Sequence, residues 1–178
     1  MTVVLPNGQP LETQPTLERA LGTVLSEILD GSRPDSGLLL NRGDGGLLSS
    51  LDGLSAAEAS ALPPSGAASI AAHVDHLRYG LGLLNRWGHG EDPFEDADWT
   101  ASWRRNTVSE PEWEQLRAQL RDEAKEFQSA VGRLLGGGET KVTGVIAEVA
   151  HLAYHLGAIR QIDRSVRGPD AESNRPAA

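Results

Sequence analysis

The chain has 178 residues, a length that suits one domain with one hydrophobic core. Its formal net charge of −9 argues against nucleic acid as a partner, because phosphate binding needs clustered lysine and arginine. Cysteine is absent, which excludes disulfides and a cysteine nucleophile, so any metal site must use nitrogen and oxygen ligands.

The segment MTVVLPNGQP lacks the basic and apolar regions of a secretory signal peptide. No stretch approaches the roughly 18 consecutive apolar residues that a membrane-spanning helix needs. We therefore expect a cytoplasmic protein without a membrane partner.

Apolar residues at intervals of three and four positions predict a first helix from Leu17 to about Asp30, since only a helix places that spacing on one face. The connection 32–68 is rich in glycine, serine and proline and predicts a long loop with at most a short helical piece around LSAAEASAL. A second helix is predicted from Ser69, a suitable N-cap, to about Trp87.

The third helix is predicted to begin at a capping box formed by Ser109 and Glu112, and the three glycines at 136–138 end it. A fourth helix is predicted over about 143–166. Its predicted buried stripe consists of Val145, Val149, Leu152, Leu156 and Ile159.

Four long amphipathic helices without a strand pattern predict an all-α fold, a four-helix bundle. The long connections 32–68 and 88–108 allow crossover loops between its helices. We expect residues 1–168 to form one domain and residues 169–178 to form a disordered tail.

Four of the five histidines form two pairs, His73 with His76 and His151 with His155. Spacings of three and four residues place both members of a pair on one side of a helix. Neutral imidazole is a common ligand of zinc, nickel, copper and iron, so two such helices packed together would supply three or four nitrogens to one ion.

A single histidine on a helix is more often an exposed or hydrogen-bonded residue than a ligand. The joint pattern favours a metal, because His151 and His155 flank the apolar stripe of the fourth helix, where unpartnered imidazoles would be costly to bury. His76 lies at the same flanking angle of the second helix, whereas His73 lies closer to the centre of its stripe. Three histidine ligands would leave coordination positions open, as in catalytic sites.

The two histidine segments, SIAAHVDHL and HLAYHLG, resemble the DinB-like, YfiT-like family of four-helix-bundle metalloproteins. The resemblance implies that His76, His151 and His155 bind a divalent metal, most often zinc or nickel, with His73 as an auxiliary or alternative ligand. It also implies a homodimer and a substrate pocket at the metal. The chain departs from the family pattern at Ala158, where a glutamine usually stands.

Glu148 precedes His151 by three residues and lies on the same flank of the helix. It is a candidate catalytic residue, acting as a base, as a hydrogen-bond acceptor for His151 or as a fourth ligand, and the alternative is a solvated glutamate. Trp87, Trp99 and Trp103 are candidates for a pocket wall or for core and loop anchors.

Two functions are compatible with these features. The first is an enzyme in which a three-histidine metal site activates water or a thiol, as a hydrolase or a low-molecular-weight-thiol S-transferase acting on a small molecule. The second is a non-catalytic metal-binding helical dimer with a structural or stress-related role. The open coordination shell favours the enzyme.

Overall fold

The computed structural model describes residues 13–66 and 68–170, and its regular structure is helical. The α-helices are α1 Thr13–Asp30, α2 Gly46–Asp52, α3 Ala56–Ser60, α4 Ile70–Gly88, α5 Glu110–Leu135 and α6 Glu139–Ile162. Short 3-10 helices cover Ser102–Arg104 and Arg164–Val166. Strand-type pairing within the described residues is limited to an isolated bridge between Arg33 and Ser36. The predicted all-α fold is confirmed.

The four long helices α1, α4, α5 and α6 pack around one hydrophobic core. Trp113 and Phe127 of α5 are fully buried there, and the Trp113 indole N–H donates to the Leu54 carbonyl oxygen over 2.7 Å. The stripe predicted for the fourth helix is buried in α6, from Val145 to Ile159. The periodicity therefore identified the core-facing side of that helix correctly.

The predicted helix starts are confirmed where a capping side chain marks them. The Ser69 hydroxyl accepts from the Ala72 backbone N–H at the start of α4, and Ser109 and Glu112 form the capping box of α5. By contrast, α6 begins at Glu139, four residues before the predicted start. Gly138 adopts a φ of +90°, which glycine tolerates, so the chain turns there and enters the helix at once.

The connection 32–68 contains the predicted short helix, α3, and one that the sequence analysis missed, α2. The prediction of at most one helical piece was wrong because glycine and serine surround this segment. Leu47 and Leu51 lie one turn apart and are both buried against the bundle, so tertiary packing stabilises a helix of low intrinsic propensity.

Two buried carboxylates hold this connection in place. Glu27 of α1 accepts backbone N–H groups from Leu38, Leu39 and Leu40. Asp44 pairs with the Arg160 guanidinium of α6 over 2.6 and 2.9 Å. The loop is therefore attached to two of the four long helices. Most of the predicted disordered tail, residues 171–178, lies outside the described residues.

Helix α6 is long and apolar enough, by length and composition alone, to cross a membrane, and 39% of its most apolar window is buried inside the protein. The core helix of a globular protein has the same character when several of its faces meet other helices. Here α6 packs against α1, α4 and α5. These contacts account for its buried apolar residues, whereas Ile146 and Tyr154 stay exposed.

Candidate metal centre

Three imidazole side chains meet between α4 and α6. The Nε2 atoms of His76 and His151 are 3.1 Å apart, and those of His151 and His155 are 2.9 Å apart. One nitrogen from each of the three lies within 4.8 Å of the others. His76 and His155 are 8% and 2% exposed, and His151 is half-buried. The three nitrogens thus face a common point inside the protein.

The outer Nδ1 atoms of two of these histidines contact oxygen atoms. The Nδ1 atom of His76 lies 3.2 Å from the Ser102 hydroxyl, and that of His151 lies 3.3 Å from a carboxylate oxygen of Glu148. When each Nδ1–H donates to its oxygen, the Nε2 lone pair is free to face the shared point.

The third outer contact, made by the Nδ1 atom of His155, indicates a role for His73, which the sequence analysis gave as an auxiliary or alternative ligand. Its Nδ1 atom lies 2.8 Å from the Nδ1 atom of His155, on the opposite side of that ring from the cluster. When His155 presents the lone pair of Nε2 to the cluster, its proton is on Nδ1, and this N–H donates to His73. This arrangement favours His73 as a residue that orients His155.

Replacing His73 with leucine is expected to weaken zinc binding by about 10- to 100-fold, because His155 loses the acceptor that holds its ring. Glutamine at the same position offers an amide oxygen and should restore much of the affinity. Competition with a fluorescent zinc chelator measures both variants, and equal affinity of the leucine variant and the parent protein would contradict this role.

The donor set fits a divalent transition metal. Three nitrogens bound at zinc distances in a tetrahedral site would lie about 3.3 Å apart, close to the two shortest separations here. Without an ion, Nε2 of His151 faces two other ring nitrogens, and only one proton can occupy each contact. A cation satisfies all three lone pairs together, so the three buried histidines could bind a metal ion.

Burial keeps the rings of His73, His76 and His155 neutral, which is the form that binds metals. Desolvation, reinforced by the neighbouring histidines, lowers the pKa of His155 to about 3 and that of His76 to about 4. Desolvation also lowers the pKa of His73. Protons therefore compete little for these nitrogens at neutral pH.

Acidification is expected to destabilise the chelator-treated protein as the pH falls from about 6.5, the ordinary histidine pKa. Below that value the unfolded chain binds protons at His73, His76 and His155 that the folded protein rejects, so the free energy of unfolding falls. The loss should level off below pH 3 to 4, where the folded rings also become protonated. Urea unfolding at a series of pH values measures this slope, and a flat profile between pH 4 and 6.5 would contradict it.

The connection 88–108 covers the cluster with groups that the sequence analysis did not assign to it. The Trp103 ring stacks on His76, with centroids 4.3 Å apart, and meets His73 edge-on at 5.3 Å. Ser102, which precedes Trp103 in the chain, was not identified by the sequence analysis. The sequence signal was limited to the tryptophans of a long loop, since nothing local distinguishes one serine among many.

Glu148 is buried, with only 7% of its surface exposed, and desolvation raises its pKa. Its second carboxylate oxygen, Oε1, has no hydrogen-bond partner among the described residues. Glu148 also lines a cavity of about 700 Å³ whose wall includes His76 and His151. The histidine cluster is therefore adjacent to a space large enough for a small molecule.

A family model described as the DinB superfamily matches residues 40–159, a stretch that includes both histidine pairs and the loop between them. Comparison with curated proteins and with solved structures gave no match.

Proposed function

Because this chain belongs to the DinB superfamily, we propose that it is a divalent-metal-dependent enzyme acting on a small molecule. His76, His151 and His155 hold the ion, with zinc or nickel as the best candidates for an all-nitrogen donor set. The reaction is hydrolysis or transfer of a low-molecular-weight thiol. The observation that carries this proposal is the convergence of three Nε2 atoms beside a cavity.

An ion held there supplies Lewis acidity, which makes a water or a thiol nucleophilic near neutral pH. Glu148 is the candidate acceptor for the proton that the nucleophile loses, because its side chain lines the cavity and contacts His151. The raised pKa of this carboxyl suits a group that exchanges a proton nearer neutrality than an exposed glutamate does.

The enzyme reading is favoured over a structural metal site by the number of protein ligands. Structural zinc sites are usually closed by four side chains, whereas catalytic sites use three and keep one position open. The cluster brings three histidines together. The fourth direction is available to a substrate in the adjoining cavity.

The test combines metal analysis with an activity screen. We expect the purified protein to contain close to one equivalent of zinc or nickel by mass spectrometry. We expect it to turn over members of a panel of aryl esters, or of electrophiles supplied with cysteine-derived thiols. A chelator should abolish turnover and the metal should restore it. Loss of folding stability on chelation, with no turnover in any arm, would support the alternative of a non-catalytic metal-binding dimer with a structural or stress-related role.

We also propose that the protein is a homodimer that pairs through α6. The exposed positions of this helix from 143 to 157 carry no charged side chain, and Ile146 and Tyr154 are 48% and 69% exposed. An apolar helix face of this kind is typical of a subunit contact. The predicted cytoplasmic location and the absence of nucleic-acid and membrane partners stay predictions.

Ile146→Glu is expected to convert the proposed dimer to a monomer, because the subunit contact would then bury one unpaired carboxylate from each chain. Light scattering after size-exclusion chromatography measures the mass. Ser129→Glu, at an exposed position of α5, is the matched control and should leave the mass unchanged. A monomeric parent protein would contradict the proposed dimer.

A further inference from the structure

The cavity beside the histidine cluster has aromatic walls. It has a volume of about 700 Å³ and lies between α4, α6 and the connection 88–108. Trp87 and Phe94 form one side, packed edge to face with ring centroids 5.3 Å apart, and Trp99 lies at the end near the histidines, 6.4 Å from the His76 ring. Such walls suit a flat or branched apolar body.

The lining residues offer no cation to an anionic ligand. The titratable side chains that line the cavity are those of His76, Glu148 and His151, which lie together at one end. The lining contains no lysine or arginine. Lys141 is nearby, but its ammonium donates to the Trp87 carbonyl oxygen over 3.2 Å and lies 5.4 Å from the Trp87 ring centroid. A carboxylate or sulfonate bound between the aromatic rings would therefore lose its hydration without gaining a partner.

One polar atom of a residue that lines the cavity is unsatisfied, although solvent does not reach that atom. Oε2 of Glu148 is near the His151 ring, whereas Oε1 is buried with no hydrogen-bond partner among the described residues. A buried carboxylate oxygen of this kind is costly unless a donor reaches it. A ligand carrying one N–H or O–H group at the histidine end would supply that donor once the Glu148 carboxyl turns toward the cavity.

We propose that this cavity binds an uncharged, mainly apolar small molecule whose aromatic or branched body lies among Trp87, Phe94 and Trp99. A single hydrogen-bond donor of this ligand meets Glu148 Oε1. The proposal rests on the proposed function in one respect only, since it identifies this ligand as the substrate. The binding itself is a property of the apolar walls and is independent of the metal.

Gly80 gives a direct way to fill the cavity. It is buried in α4, one turn after His76, and a Cβ atom at this position would meet nothing within 4 Å. The leucine side chain of the Gly80→Leu variant should therefore fill part of the cavity without displacing the backbone. Gly22 of α1 is the matched control, because it is also helical and its Cβ position is equally open, but it lies outside the cavity.

The binding test uses three probes of one scaffold with the full chain, treated with a chelator. N-phenyl-1-naphthylamine is neutral and has one N–H, its 8-sulfonate derivative adds an anion, and its N-methyl derivative lacks the donor. Fluorescence titration with excitation of the tryptophans gives each affinity. We expect the neutral amine to bind at least about 10-fold more tightly than the sulfonate and several-fold more tightly than the N-methyl compound.

Gly80→Leu is expected to weaken binding of the neutral amine by at least about 10-fold, whereas Gly22→Leu should change it by less than about twofold. Phe94→Ala, at a half-exposed loop position, should weaken it several-fold even if Gly80→Leu fails to fold. Equal binding of the amine and the sulfonate, or unchanged binding in Gly80→Leu and Phe94→Ala, would overturn the proposal. Equal binding of the N-methyl compound would overturn the role of Glu148 Oε1.

The outcome is separable from that of the proposed function, because the titration is carried out without metal. A protein that retains no zinc or nickel, yet binds the neutral amine as expected, would contradict the metalloenzyme and leave the apolar ligand site. A protein that binds metal but not the amine would contradict the ligand site alone.

Discussion

Replacing His155 with alanine is expected to lower the affinity for zinc or nickel by more than about 100-fold, which exceeds the usual effect of removing a residue that only orients a ligand. His155 is the most buried of the three converging histidines, at 2% exposed. Its loss removes one nitrogen of the donor set and also the partner of His73. The two remaining histidines, His76 and His151, are too few ligands to bind the ion tightly.

Equilibrium dialysis against a series of buffered metal concentrations, followed by elemental analysis, measures this affinity. His89→Ala is the matched control, because His89 is exposed and contacts Glu126 at 2.7 Å on the surface. That variant should bind as the parent protein does. Half occupancy of His155→Ala at the parent's midpoint concentration, which means an unchanged affinity, would refute the three-histidine site.

Replacing Arg160 with methionine is expected to cost about 3 to 5 kcal/mol in the free energy of unfolding, because the Asp44 carboxylate would stay buried without its charge partner. Asp44 is 3% exposed and receives both terminal nitrogens of Arg160. The Gly46 backbone N–H also donates to this carboxylate over 2.9 Å, but a neutral donor cannot balance its charge. The variant should therefore release the connection that leads into α2.

Urea unfolding followed by circular dichroism measures the loss. Arg86→Met is the matched control, since Arg86 and Glu91 form an exposed pair over 2.7 Å with more than half of each side chain in solvent. Exposed pairs of this kind contribute about 0 to 1 kcal/mol. A loss in Arg160→Met no larger than in the control would show that the buried pair has little effect on stability.

The histidine cluster shows how much of the site can be predicted from local sequence patterns. Spacings of three and four residues placed the four paired histidines on two helices, and the angle of His76 relative to its apolar stripe favoured it over His73. The structure brings His76, His151 and His155 together through their Nε2 atoms. What the pattern could not supply is the position of His73, since a helical wheel gives a direction on one helix and not which ring nitrogen meets which neighbour.

The connections show the opposite case. Ser102 and Trp103 reach the histidines from a loop whose path depends on contacts far away in the chain. The cavity wall likewise joins Trp87 of one helix to Phe94 and Trp99 of that loop. No periodicity exists in such segments, so the sequence offered the tryptophans as candidates for a pocket wall or for core and loop anchors and could not decide between these roles.

By itself the sequence determined the four long helices, their buried faces, the caps at the starts of α4 and α5, and the histidine pairs on α4 and α6. These features depend on interactions within a few residues, and helical periodicity records them directly. Only the tertiary structure decided that α2 forms, that Asp44 is buried against Arg160, and which atoms surround the histidine cluster. Those outcomes depend on burial between distant segments, where packing overrides the local preference of each.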